Sequence, residues 1–398
     1  IILYLFPGGI PPTFVKYSLL NKRFMIKRIK ILATGALLMA GLGACSPSGK
    51  KTGSETVADT LRTAETVNLL NNLRQIPGQG FMFGHHDDPL YGVGWEGDEG
   101  RSDVKSVCGD YPAVMSFDLG HIELEGEKSL DHVQFRKIRQ ETINQYKRGG
   151  MVSFSWHLDN PSTGKDAWDV SDTTVVASIL PGGTHHTKFV GWLDAVAAFM
   201  NTLETEDGTK IPVLFRPWHE HTGSWFWWGQ NLCTAEQYKA LWRMTYERMH
   251  AKGVKNLLYA YSPGSEPKDS AAYLERYPGD DIIDLVGFDT YQFDRTQYME
   301  QLDKSLAILT EVGQSHNKPI AITETGFEAI PDSTWWTQTL YPVISKYPIS
   351  YVLVWRNARE RVNHYYAPYP GQVSADDFVK FYREPKTLFV SDVKDLYK

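Results

Sequence analysis

Cysteine is scarce in this sequence, with Cys 3 among 398 residues. No disulfide framework can therefore staple the fold. Positive charge is not in excess either. The formal net charge is -6, which argues against a nucleic-acid partner. No Gly-rich phosphate fingerprint follows any strand-like run, so the dinucleotide site of an open, doubly wound sheet has no support. The apolar run Ile31–Leu42 falls short of the roughly 20 residues a membrane-spanning helix needs. Aromatic residues, by contrast, are plentiful at 13%, including Trp 12 and Tyr 21. The whole suits a globular protein with one large domain.

The first methionine is Met25, followed by basic Lys27, Arg28 and Lys30, the apolar run, and then Leu42–Cys45, "LGAC". This order reads as a bacterial lipoprotein signal that leaves Cys45 as the lipidated first residue of the mature chain. Residues 1–24 read as an over-extended start, so residues 1–45 are set apart from the fold. Residues 46–56, "SPSGKKTGSET", read as a flexible tether. Residues 57–398 are expected to form one catalytic domain. Cys108 and Cys233 are expected to be free, mostly buried thiols rather than a pair.

From residue 80 onward a pattern repeats. Short β-type runs alternate with amphipathic helical stretches: 80–88, 112–120, 150–161, 211–221, 256–263, 284–292, 319–326 and 349–358. Strands alternating with helices imply parallel strands joined by crossovers, and eight units predict a single (β/α)8 barrel of the TIM type with elongated βα loops. Each run starts apolar and ends polar or aromatic: His85 and Asp87, Asp118, His157 and Asp159, Glu220, Ser262, Asp289 and Tyr291, Glu324, Trp355 and Arg356. A barrel gathers all of these ends at the C-terminal mouth, where barrel enzymes place their sites. Asp and Ser also mark strand ends in any fold, but the bulky "WHE", "SWH", "TYQ" and "VWR" are not turn formers.

Two glutamates stand out at this mouth. Glu220 lies in "FRPWHEHTGSWFWWG", crowded by Trp218, Trp225, Trp227 and Trp228, and Glu324 closes the apolar seventh run in "ITETG". A pair of carboxyls facing a cleft is what glycosidic cleavage requires. Apolar surroundings raise a carboxyl pKa as a general acid needs. Glu324 is expected to stay ionised, supported by Tyr291 and by His219 or Arg216. Trp225, Trp227, Trp228 and Trp355 offer flat faces to sugar C–H groups, and His157, Arg356, Asp289 and Asn357 could read hydroxyls. Glu328 reads as a loop charge. "GHHDD" (84–88) invites a metal site, yet adjacent His85 and His86 point to opposite faces of a strand, so no metal and no cofactor is expected.

In this order, "RPWHE", "WFWWG", "GFDTYQ", "ITETG" and "WRNA" resemble glycoside hydrolase family 26, typified by β-mannanases. The resemblance implies a (β/α)8 barrel acting with retention. It implies Glu220 on strand four as acid/base and Glu324 on strand seven as nucleophile. By the same likeness His219 sits beside the acid/base and close to the nucleophile, and Tyr291 hydrogen-bonds the nucleophile. Trp225 floors the neighbouring sugar subsites, His157 serves the subsite of the cleaved mannose, and Arg356 grips the next sugar. The insertion after His157 is expected to shape the non-reducing end, with Trp168 either stacking on a sugar or anchoring the loop.

The expected substrate is thus β-1,4-mannan, galactomannan or manno-oligosaccharides, with internal cleavage and release of mannobiose both open. Competing readings are a hydrolase of xylan or mixed-linkage glucan, and a non-catalytic glycan-binding lipoprotein. The protein is expected to be a monomer, exported and tethered to a Gram-negative envelope only through Cys45. The periplasmic side is favoured because no acidic run follows that cysteine.

Overall fold

A computed structural model describes residues 62–398. The lipoprotein signal, Cys45 and the tether lie outside the described residues. Eight parallel strands form the main sheet: β1 Phe81–His86, β2 Val114–Asp118, β3 Met151–Ser155, β4 Val213–Arg216, β5 Leu257–Tyr261, β6 Leu285–Tyr291, β7 Ile320–Gly326 and β8 Ile349–Val354. They pair in chain order, and β1 pairs with β8 from Met82↔Tyr351 to His85↔Val354, which closes the barrel. A further short strand, Thr387–Leu388, adds to the start of β1.

The strands are buried on both faces, as parallel strands between helices must be. Phe83 on β1 points outward and meets Trp336, Phe378 and Phe389 beneath the helices. Its neighbour Met82 belongs to a second apolar cluster to which all eight strands contribute, for example through Val114, Met151, Leu214, Leu258, Leu285, Ala321 and Tyr351. On every strand its residues alternate with those of the larger cluster beneath the helices, such as Phe83, Phe154 and Phe215, so they face the barrel interior. Leu69, Leu70 and Leu73 of the helix Ala64–Gln75 pack into the same cluster. That helix plugs one end, and the polar strand ends gather at the other.

The crossover helices start and stop where capping chemistry dictates. Thr234 and Gln237 form a capping box at the head of Ala235–Ala251, satisfying two orphan N–H groups. Asp294 caps Arg295–His316, which ends on Asn317 in a left-handed conformation. Gly149, at φ 90°, closes Phe135–Arg148. The fifth crossover is the short helix Ser270–Leu274.

The βα loops build the walls above the mouth. Asp103 fastens two of them together. Its carboxylate accepts from Trp95 Nε1 at 2.7 Å and Val93 N at 2.9 Å in the β1 loop, and from Asn357 Nδ2 at 2.9 Å in the β8 loop. Asn357 Oδ1 in turn accepts from the Tyr366 and Ala367 amides. Asn357 therefore ties loops together, and the expectation that it reads a hydroxyl is corrected. Cys108 and Cys233 are both free, and burial pushes the Cys108 thiol up to about 12.

Candidate active site

Glu324 sits within β7, buried, at 4% exposure. Two groups hold its carboxylate. Tyr291 Oη, at the end of β6, donates to Oε2 at 2.7 Å, and Arg216 Nη2, at the end of β4, makes a very short ion pair with Oε1. Arg216 is 1% exposed and also pairs with Asp289 Oδ2 at 2.8 Å. Its partners Asp289 and Glu324 outweigh burial and push its pKa up. One fixed cation thus serves two buried carboxylates. Asp289 is further held by Thr323 Oγ1 at 2.5 Å, so it belongs to this internal network and not to the hydroxyl-reading set expected of it.

Glu220 lies four residues past the last β4 residue rather than within the strand. The turn that carries it is unusual: Trp218 and Glu220 adopt left-handed φ values of 58° and 51°. Such conformations cost about 1–3 kcal/mol each for non-glycine residues and persist only where the surroundings hold them. Here Tyr238 Oη donates to the Trp218 carbonyl at 2.6 Å, and the Glu220 amide donates to the Ser262 carbonyl at 2.8 Å. The carboxylate of Glu220 accepts from Trp225 Nε1 at 2.7 Å. Trp225 lies over Gly223, where a Cβ would fall inside the indole ring.

Carboxylate oxygens of Glu220, Asp289 and Glu324 lie within 4.8 Å of one another. This fits the separation of about 5–5.5 Å found in retaining glycosidases and not the ~6.5–9.5 Å of inverting ones. Burial first, and then the charges of Glu324 and Asp289, raise the Glu220 pKa well above the usual carboxylate range. Two carboxyls in one mouth thereby have different surroundings. One is pressed to hold a proton, and the other is paired with a guanidinium and a phenol.

His219 does not turn to Glu324. Its Nε2 faces His157 Nε2 at 3.0 Å, and burial followed by the Arg216 charge pushes its pKa well below the ordinary value. Of the two supports named for Glu324 beside Tyr291, it is Arg216 that bonds to it. Trp168 stacks on His157 with ring centroids 5.4 Å apart, and Trp355 stacks on His86 at 4.0 Å. Both indoles stay partly exposed, so each can present its other face to the mouth. Trp218, Trp227 and Trp228, by contrast, are fully buried and meet edge to face. Trp228 Nε1 donates to the His219 carbonyl at 2.8 Å and Trp227 Nε1 to the Leu158 carbonyl at 3.3 Å. They brace the backbone of the site, and the expectation that Trp227 and Trp228 offer faces to sugars is corrected.

Arg356 is 8% exposed and already holds Asp131 at 3.2 Å and Glu360 at 2.7 Å through Nη2 and Tyr91 Oη at 3.2 Å through Nη1. Any hydroxyl it grips must share the guanidinium with them. Next to it, His86, Asp87 and Asp131 bring one ligand-type atom each within 4.8 Å of one another, the arrangement that made "GHHDD" suggestive of a metal. The Arg356 guanidinium already supplies positive charge to this group. Burial and the nearby Asp131 raise the Asp87 pKa well above its ordinary value. Glu328 pairs with His364 Nδ1 at 2.7 Å, a loop contact.

Sequence reasoning did not select Asp131 or Tyr91 as members of the mouth, because both sit in the segments between barrel strands, where composition carries no signal. Arg216 was named as one of two possible supports for Glu324, but nothing linear shows that it also reaches Asp289 on β6.

Replacing Arg216 by methionine would leave Asp289 and Glu324 buried beside each other without a cation. Breaking a buried pair in this way costs about 3–5 kcal/mol, so R216M is expected to lose that much stability in chemical denaturation. A loss below about 1 kcal/mol would mean the carboxylates find another partner.

A closed parallel barrel with two carboxyls at the ends of its fourth and seventh strands defines a barrel glycosidase. The chain matches the model for glycosyl hydrolase family 26 over residues 58–373, and it belongs to that family. A family 26 β-mannanase structure from Bacteroides ovatus is 66% identical, covers 85% of this chain and 98% of its own, and superposes with a TM-score of 0.84. An endo-β-1,4-mannanase from Cellulomonas fimi is 33% identical over 86% of this chain and 79% of its own, at a TM-score of 0.79. A mannan endo-1,4-β-mannosidase of Bifidobacterium adolescentis is 31% identical over 395 residues, 91% of this chain. The chain spans 39% of that relative's length.

Proposed function

We propose that this protein is a retaining β-mannanase that hydrolyses β-1,4-mannosidic linkages in mannan, galactomannan or manno-oligosaccharides. The observation that carries the reading is the Glu220–Glu324 pair, spaced for retention, with Glu220 pressed to hold a proton and Glu324 paired with Arg216 and Tyr291. The resemblance to mannanases supports the choice of sugar. In the first step Glu324 attacks the anomeric carbon while Glu220 gives its proton to the departing glycosidic oxygen. A glycosyl ester on Glu324 forms and the leaving chain departs as an alcohol. In the second step Glu220, now ionised, takes a proton from water, which displaces Glu324 and restores both groups. Trp225 acts at both stages, floors the adjoining sugar and orients the Glu220 carboxyl. His157, His219, Trp168, Trp355, Tyr291 and Arg356 line the rest of the cleft.

Release of reducing ends from mannan, set against xylan and mixed-linkage glucan, tests the substrate. Binding without turnover on every β-glycan would favour the glycan-binding alternative, and product profiles on mannohexaose would separate internal cleavage from release of mannobiose. The first step requires Glu220 to be protonated. Because its pKa is raised, activity should persist above the usual carboxylate range and fall only as pH rises through that raised value. The kcat/KM profile on mannotetraose should lose this alkaline limb in E220A; a limb unmoved by the substitution would assign it to another group. The same reading takes the chain as a monomer, and residues 25–45 support its being exported and lipid-anchored at Cys45. Radiolabelled palmitate incorporation that C45S abolishes is the expected result.

A further inference from the structure

We propose that Asp118 is a positioning residue that fixes the orientation and hydrogen-bond polarity of the His157–His219 pair beside Glu220. Asp118 ends β2, buried at 2% exposure. Its Oδ1 accepts the amides of Gly120 at 2.6 Å and His157 at 3.1 Å. Its Oδ2 accepts the Ser155 hydroxyl at 2.5 Å and faces His157 Nδ1 at 2.6 Å. Four partners thus use the whole accepting capacity of one carboxylate. Despite its burial, His157 and these hydrogen bonds hold its carboxyl well below the usual range. An ionised carboxylate only accepts, so the proton on this side of His157 must sit on Nδ1.

The consequence travels one ring further. His157 Nε2 faces His219 Nε2 at 3.0 Å, and only one proton fits between them. In the neutral pair, with the His157 proton on Nδ1, the shared proton must come from His219. His219 Nδ1 is then a bare lone pair. It is buried and has no hydrogen-bond partner among the described residues. This polarity is set in the residue immediately before Glu220, so it fixes the ring beside the acid. That last step rests on the glycosidase reading given above; the tautomer assignment does not.

Asp118→Asn separates the two. The backbone amides of Gly120 and His157 hold the amide oxygen at the Oδ1 position, so the new NH2 group must face His157 Nδ1. A donor there strips Nδ1 of its proton, moves it to Nε2, and reverses the bond to His219. The imidazole 15N spectrum reads this directly. Wild-type protein should show His157 protonated on Nδ1 and His219 on Nε2. D118N should show both inverted, with an unchanged melting temperature. With mannotetraose as substrate, kcat/KM should fall by about 10²-fold, the scale on which misplacing a group at the site acts. A wild-type His157 protonated on Nε2 would overturn the proposal even if D118N failed to fold. Wild-type tautomers retained in D118N would overturn it as well, as would inverted tautomers with unaltered rates. A wild-type protein inactive on mannan would count against the substrate and leave the spectral test standing.

Discussion

Replacing Glu324 by alanine is expected to abolish turnover of mannan, by on the order of 10⁴–10⁶-fold, the scale seen when an enzymatic nucleophile is removed. The fold should survive. Glu324 is held by Arg216 and Tyr291, and in E324A Arg216 keeps Asp289 as a partner at 2.8 Å. The variant therefore leaves no buried guanidinium unpaired, and circular dichroism should match the wild type. The sharper feature is chemical. External azide should restore turnover of an activated aryl β-mannoside, and the product should be the α-mannosyl azide. With no carboxylate below the ring, azide attacks the face that Glu324 used and the configuration inverts. E324A with near wild-type rates would remove Glu324 from the reaction.

Glu220→Ala should act differently on different leaving groups. On mannan the departing sugar oxygen needs a proton, and loss of a positioned general acid costs about 10²–10⁴-fold. A dinitrophenyl leaving group departs without that proton, so glycosylation of Glu324 should stay fast. Deglycosylation then limits the rate, because no base activates water, and a burst of phenol should precede a slow steady state. Azide should speed this second step and give the β-mannosyl azide, the opposite anomer to that from E324A. Glu220 is also the acceptor for Trp225 Nε1 at 2.7 Å, so E220A frees that indole and KM values should move as well. Equal losses on mannan and on the aryl substrate would deny Glu220 the role of acid.

Much of the barrel was legible because its strands are short apolar runs bounded by polar ends. The opposite orientations of His85 and His86 followed from strand geometry alone. Other features were not linear. Trp227 and Trp228 read like part of a sugar platform because indoles are used both to stack and to pack. Only burial separates Trp225, which reaches Glu220, from Trp227 and Trp228, which donate to backbone carbonyls. Arg356 and Asn357 looked free for substrate in "WRNA", yet their partners Asp131 and Asp103 lie more than two hundred residues away. Asp118 was visible as a polar strand end. Its contact with His157 spans neighbouring strands, and composition cannot register that.

The left-handed turn at Trp218 and Glu220 carries a similar lesson. A sequence pattern places Glu220 near the end of β4, but the geometry that brings its carboxyl within 4.8 Å of Glu324 comes from a strained turn held by Tyr238 and Ser262. The two functions of the segment are thus divided: buried indoles hold the turn, and the one indole that reaches out holds the acid.

The most direct test traps the intermediate. E220A incubated with a 2-deoxy-2-fluoro-β-mannosyl fluoride should accumulate a covalent glycosyl-enzyme, and peptide mapping by mass spectrometry should place one fluoromannosyl group on the peptide containing Glu324. A label on Asp289 or elsewhere, or none together with inversion of the first-formed product from the wild-type enzyme, would contradict the account.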